Sequence, residues 1–474
     1  MTRWPRGFGP RLNENHRPTE WTASPPGFRP GLSGKQARIK CQPYKAGPAE
    51  RRYALRMASC FRALICIGIV IAVVAGAARA ESWNQFRGPS GDGRTQARLP
   101  LEWSETRHVL WKTPIPGKAW ASPVEADGRI WLANATEDGR RLSLVCVAAA
   151  TGRIERDITL FEPARPAFCH PYNSYASPTP FVVDGRVFVH FGSAGTACVA
   201  ADSGAILWTR QDLPCDHHRG PGSSPIPWED LLIVNFDGFD EQYVVALDQR
   251  TGRTVWKKNR SIDYGTANGD LKKAYGTPAI FTHGGRLQLV SPAAVGTVAY
   301  DPRTGRELWQ VRHGGYNTAA RPLYAHGLVV INTEGGDRLL AVRPDGAGDV
   351  TATHVVWRFG KATPTRPSQS LVGDHLYMVN DKGVFTCLDV ATGKARWQER
   401  REGRHTASLI EAGGRLYGCD EDGTTLVLAA NPERFELLAE NRLDDGCMAS
   451  PAVVGDDLVI RTKTHLYRLG ATDR

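Results

Sequence analysis

The sequence predicts an all-β protein, an eight-bladed β-propeller built of four-stranded antiparallel blades. Three observations predict it. One four-strand unit recurs along residues 103–470, its anchor residues fall 41 to 55 residues apart, and the two ends of the chain complete one another.

The clearest unit runs from Tyr175 to Trp208 and recurs at 223–256, at 276–309 and more loosely at 366–397. Each reads as a Pro-containing strand, an Asp-Gly or Gly-Gly turn, and an alternating strand such as Arg186-Val-Phe-Val-His190. A Gly-rich turn then gives a third strand, and a T-G or S-G turn gives a fourth that ends in Trp. Short turns containing Gly suit hairpins because they accept positive φ. The anchors are Pro123, Pro178, Pro225, Pro278, Pro322, Pro367, Ser408 (in place of a proline) and Pro451, which makes eight units. A β-helix needs much shorter coils, and a helical solenoid needs a 3.6-residue period that is absent. The last unit, 450–470, supplies three strands and stops, while an orphan fourth strand stands early in the chain as Val109-Leu110-Trp111-Lys112. Pairing the two closes the ring and removes its open edges. Trp208, Trp256, Trp309, Trp357 and Trp397 are expected to wedge between blades, with each N–H capping a turn. Cys146, Cys198 and Cys387 share a slot with Ala246 and Ala299, so these thiols read as small core residues.

Outside the propeller lie 1–56, a Pro- and Arg-bearing extension without apolar periodicity, and 57–80, laid out as a secretory signal. Met57 is the expected true start, the apolar run is Ala63–Ala78, and cleavage is expected after Ala80. Membrane attachment would come only from an uncleaved signal. Residues 81–102 form a turn-rich lead-in and 471–474 a tail. The chain of 474 residues carries a formal net charge of +10, but 14 basic against 3 acidic residues fall within 1–80. The remainder holds 45 basic and 46 acidic residues, so the basic footprint that nucleic acid requires is missing. A periplasmic or secreted location follows.

The pattern L/Y-D-x-x-T-G-x-x-x-W, as in Leu247–Trp256, with Asp301–Trp309 and Asp389–Trp397 matching, resembles the repeat of the pyrroloquinoline quinone (PQQ) propellers. The resemblance covers 103–470. It implies a fold shared by quinoprotein alcohol and glucose dehydrogenases and by non-catalytic envelope propellers, such as the lipoprotein of the barrel-assembly machinery. The opening Trp83-Asn-Gln-Phe-Arg-Gly-Pro-Ser-Gly-Asp-Gly93 is similar to that of secreted PQQ-like propellers of planctomycete-type bacteria. A quinoprotein dehydrogenase needs a flat slot for the quinone, a calcium ion on carboxylate and amide oxygens, and a carboxylate base. In the alcohol dehydrogenases a vicinal disulfide contributes to the slot. This chain has no Cys-Cys pair, and the family's calcium ligands cannot be assigned to its positions.

Ligands of propellers meet the loops around the central channel. The residues before each innermost strand are Trp120, Tyr175, Ser223, Tyr275, Tyr316, Arg366, His405 and Met448, an aromatic and polar rim suited to a peptide, sugar or small molecule. Two insertions, Phe168–Tyr175 and Cys215–Gly222, precede equivalent strands of adjacent blades and are expected side by side. They add His170, Asn173, His218 and Arg219 to the candidate ligand-binding residues and suggest a Cys169–Cys215 disulfide. In the chain-entropy view such a bridge is worth about 4 kcal/mol. His170, Asp216, His217 and His218 match no zinc spacing, and loop anchoring by hydrogen bonds is the preferred role. No catalytic residue, metal or cofactor is expected. The sequence favours a non-catalytic, monomeric binding or scaffold propeller of the cell envelope with a protein or glycan ligand. The alternative is a PQQ- and calcium-dependent oxidoreductase of alcohols or sugars.

Overall fold

The computed structural model describes residues 82–335 and 338–471. Eight sheets make the blades, each built on four antiparallel strands, and two carry a short added parallel strand, Arg94–Thr95 on blade 7 and Gly348–Asp349 on blade 4. Blade 3 is representative. Its strands Ile226–Trp228, Leu231–Asp237, Gln242–Asp248 and Thr254–Asn259 run outward from the axis, the second and third buried in their centres and the fourth largely exposed. Blade 8 closes as the termini require. Val109–Pro114 lies antiparallel to His465–Leu469, with Trp111 opposite Arg468. The expected extension, 1–56, and signal, 57–80, lie outside the described residues.

The repeated motif works as a clasp between blades. In the turn after Asp248, the Asp248 carboxylate accepts from the Thr251 N–H at 2.7 Å and from its hydroxyl at 2.6 Å, an Asx-type turn that holds Asp248 below the usual carboxylate range. The chain then turns at Gly252 with φ 69°, and a Cβ there would meet the Trp208 ring of the preceding blade at 2.7 Å. That indole donates to the Gln249 carbonyl at 2.9 Å. Trp256, Trp357 and Trp397 likewise donate to Pro302, Val390 and Asn431 of the next blade, and Trp111 carries the clasp from blade 8 to Ala149 of blade 1. The tryptophans sit third in the outer strands, not at their ends as expected, because each strand continues past the ring. Facing Trp208, Trp256, Trp309, Trp357 and Trp397 across the ladder are Cys198, Ala246, Ala299, Ala341 and Cys387, all fully buried small side chains that leave room for the indole.

Trp309 departs from this rule. Blade 5 replaces the D-x-x-T-G turn by residues 343–354, of which Gly348–Asp349 add a parallel strand to the outer edge of blade 4. Gln288 relays the clasp instead, accepting from the Trp309 indole at 2.6 Å and donating to the Pro344 carbonyl at 2.9 Å.

The lead-in closes one end of the channel. The Trp83 carbonyl accepts from Glu125 N–H of blade 1 at 2.8 Å, Asn84 pairs through carbonyl and amide with Val182 of blade 2, and Gly93 accepts from Glu411 of blade 7. Arg87, 2% exposed, donates to the Leu409 and Gln369 carbonyls, and Arg321 of blade 5 donates to Phe86 and Pro278. Gly91, at φ 70°, packs on the Arg321 guanidinium, where a Cβ has no space. The segment thus spans the axis from blade 1 to blade 7.

Candidate functional site

With one end plugged, the channel becomes a cup of about 280 Å³ opening on the other face, with Phe86 of the plug contributing to its lining. The floor is set by the residue next to each anchor proline. The N–H of Ser122 donates to the Thr179 hydroxyl at 3.1 Å, Thr179 to Ser224 at 2.9 Å, and Ser224 to Thr277 at 2.9 Å. On the far side Arg321 donates to Ser368, Ser368 to Ser408, and Ser408 to Ser450, each at 2.9 Å. This crown of hydroxyls links six of the eight neighbouring pairs of blade entries, leaving out blades 4 to 5 and 8 to 1. It is interrupted at Arg321, whose side chain turns away to hold the plug.

The mouth is built from the connecting loops. The first insertion crosses it, placing Tyr172 of the blade 1–2 connector against blade 7. There its hydroxyl bonds the Glu421 carboxylate and lies 3.1 Å from Thr406 Oγ1, with the Arg366 and Arg404 guanidinium groups 4.7 and 5.4 Å from its ring centre. Burial and the Glu421 contact raise the Tyr172 pKa. The Trp120 indole donates to the Tyr172 carbonyl at 3.2 Å. Arg366 pairs with Asp381 at 2.5 Å, Arg219 with Asp270 at 3.7 Å, and Arg404 with Glu421 at 3.5 Å. Glu334, beside Asn317 in the wall, has its pKa raised by burial, with Arg366 pulling the other way.

Of the residues expected at the rim, Trp120, Tyr275, Arg366 and Met448 line the cup, and so do His170, Asn173 and Arg219 from the insertions. The two insertions do lie together, as Asn173 donates to the Arg219 and Pro221 carbonyls at 2.9 and 3.1 Å. Five of the expected residues do not line the cup. Tyr175 lies in a groove with Gly139, its hydroxyl on the Ala167 carbonyl. Tyr316 gives its N–H to the Glu334 carbonyl, and it is the neighbouring Asn317 that reaches the cup. His405 is a core residue at 1% exposure, bonded to the Cys419 carbonyl and edge-on to Phe385, its pKa lowered by burial. His218 stands on the surface between Phe168 and Phe239. Ser223 likewise yields its place to Ser224. Tyr172, Asn317, Glu334 and the crown were not singled out from sequence. The crown alone had a signal there, a Ser or Thr beside most anchor prolines.

The thiol pairing is also corrected. Cys169 and Cys215 are both free. Cys215 is buried against His217, its Sγ 3.7 Å from Nδ1, whereas the Cys169 Sγ faces the Arg219 carbonyl at 3.7 Å. Burial pushes the Cys169 thiol up to about 11. The thiols that do meet are Cys419 and Cys447, in contact within the core. His217 serves as a loop anchor, its Nε2 accepting from the Ser193 N–H at 3.2 Å.

The family model described as outer membrane protein assembly factor BamB, of PQQ-type repeats, matches residues 102–280 and 240–473. The chain belongs to the PQQ-like β-propeller family. Within it, the chain is 24% identical over 243 residues to the outer membrane protein assembly factor BamB of Legionella pneumophila, covering 51% of this chain and 48% of that protein. It is 26% identical over 321 residues to methanol dehydrogenase subunit 1 of Methylobacterium organophilum, covering 58% and 47%. The chain thus spans about half the length of these curated relatives. Among solved structures, BamB from Moraxella catarrhalis matches with TM-score 0.54 at 12% identity, covering 76% of this chain and 99% of that one. The quinohemoprotein alcohol dehydrogenase of Comamonas testosteroni matches with TM-score 0.60 at 12% identity, covering 85% and 82%. At these identities the structural likeness is one of fold.

The PQQ-like family raises the question of whether quinone and calcium suit this cup. Calcium takes roughly six to eight oxygen ligands, usually with several carboxylates. Glu334 is the one carboxylate lining the cup, and among the described residues no three His, Cys, Asp or Glu side chains are grouped to hold a metal. No cysteine lines the cup, and the arginines that could meet a carboxylate-rich quinone are already paired with acids. The residues present do not fit that cofactor pair.

Proposed function

We propose that this chain is a non-catalytic binding propeller of the cell envelope, exported by the segment Met57–Ala80, whose ligand enters the single open mouth of the channel. The observation that carries this reading is the cup itself. It is sealed below by 83–95, floored by hydroxyls and walled by aromatic and amide side chains, with no donor set suited to calcium and quinone. Such a site holds a ligand by many directed contacts and offers no arrangement for moving electrons. Kinship with an outer membrane protein assembly factor supports an envelope role. A protein or a glycan of the envelope is the partner class.

The test is retention of envelope components by immobilised chain. A component held by residues 81–474, lost with the mouth double variant Arg366→Ala/Tyr275→Ala, and kept by the outer-strand variant Val255→Asp would support the mouth as the binding site. Equal retention by all three proteins would reject it.

A further inference from the structure

We propose that the cup recognises a neutral sugar ring, the single or terminal unit of a saccharide. This inference rests on the mouth being the ligand site.

The first support is an inventory of donors and acceptors. Ser122, Thr179, Ser224, Thr277, Ser408 and Ser450 all line the cup. All but Ser122 accept a backbone N–H from the neighbouring blade, and among the described residues none passes its own hydroxyl proton to a protein acceptor. The floor therefore presents O–H donors. On the wall the situation is reversed. Asn317 sits in the left-handed region at φ 54°, its N–H on the Lys273 carbonyl at 2.8 Å, and it is 8% exposed. Its Oδ1 is buried and has no donor. A buried acceptor left without a partner costs about 1–3 kcal/mol, and a non-glycine residue held at positive φ adds strain. Both are expected where a ligand completes the site. A group that accepts from the floor and donates to the wall is an alcohol, and a sugar ring carries several.

Charge narrows the class. Arg219, Arg366 and Arg404 each have an acid partner already, so a phosphate or carboxylate would have to displace Asp270, Asp381 or Glu421 to gain a charge-assisted pair. Shape narrows it further. At about 280 Å³ the cup lies just below the usual range of small-molecule pockets, enough for one ring and too small for a folded partner. The flat faces of Trp120 and Tyr275 suit the C–H face of such a ring.

A peptide is the competing ligand, and its backbone would need free strand edges at the axis. The inner strands of blades 1, 2 and 7 already give N–H groups to the chain's own Trp83, Asn84 and Gly93.

The experiment is calorimetric titration of residues 81–474 with glucose, galactose, N-acetylglucosamine and their dimers, alongside glucuronic acid and glucose 6-phosphate. At least one neutral sugar is expected to bind, more tightly than the charged ones. Asn317→Ala is expected to weaken it about tenfold, and Ser122→Ala, which disturbs no backbone bond, about threefold. Unchanged unfolding midpoints would show that both variants fold. Preference for the charged sugars overturns the assignment. If no sugar binds while envelope retention still depends on Arg366 and Tyr275, the saccharide assignment falls and the mouth reading stands. If a sugar binds but neither variant weakens it, the sugar is held elsewhere and the saccharide assignment falls, while the retention test decides the mouth reading.

Discussion

Arg321 occupies the crown position where six other blades place a Ser or Thr that receives a neighbour's N–H. Burial lowers its pKa to about 10, as it does for Arg87 nearby, and carbonyl oxygens of the plug and inner strands satisfy both guanidinium groups. Arg321→Leu is therefore expected to free the plug while leaving the blades intact. Hydrogen exchange in 83–93 should accelerate at least tenfold with little change in the blade strands, and uniform acceleration would contradict this role. A second residue-scale expectation concerns acid. Burial depresses His190 to about 3 and His217 to about 4. The unfolded chain takes up these protons near 6.5 and the folded chain only at those lower values, so stability is full above about pH 6.5 and falls as pH drops toward 4. Denaturant midpoints should decrease over that interval, with a shallower slope in His217→Gln. Residue identity was the least legible level in the sequence. His405 and Tyr175 precede their strands at the expected spacing, yet one turns into the core to reach the Cys419 carbonyl and the other into a side groove. Spacing fixes a backbone position but not which wall a side chain meets.

At the scale of the element, the blade turn and its clasp were the most legible features, because Asp248, Thr251 and Gly252 act within one turn and Trp208 closes on them from a fixed strand position. Gly252→Ala tests the clasp. It forces a positive-φ residue and drives a methyl group into the Trp208 ring, so a loss of about 2–4 kcal/mol is expected in denaturant unfolding. Gly185→Ala, with similar φ and open space around it, should lose only about 1 kcal/mol. Equal losses would mean that the indole contact contributes nothing beyond backbone strain. The 343–354 insertion was not legible in the same way. Its two-residue parallel strand and the Gln288 relay form only once blade 4 is there to receive them.

For the whole molecule, the eightfold count and closure by Val109–Pro114 followed from the repeat, since a ring of sheets is stable only when its last edge is paired. The plug did not follow. The Trp83–Gly93 stretch has no periodicity, and its structure comes from inner-strand edges supplied by blades 1, 2 and 7, the last at Glu411 far along the chain from Gly93. Sealing one end turns the channel into a cup, and the proposal of a binding propeller rather than a quinoprotein rests on the side chains that line it. The most direct measurement adds PQQ and calcium to purified residues 81–474, follows quinone absorbance through gel filtration, and then assays dye reduction with alcohols and sugars. The protein should emerge without quinone and leave the dye oxidised. Quinone that co-elutes with the protein and supports substrate-dependent dye reduction would contradict the account.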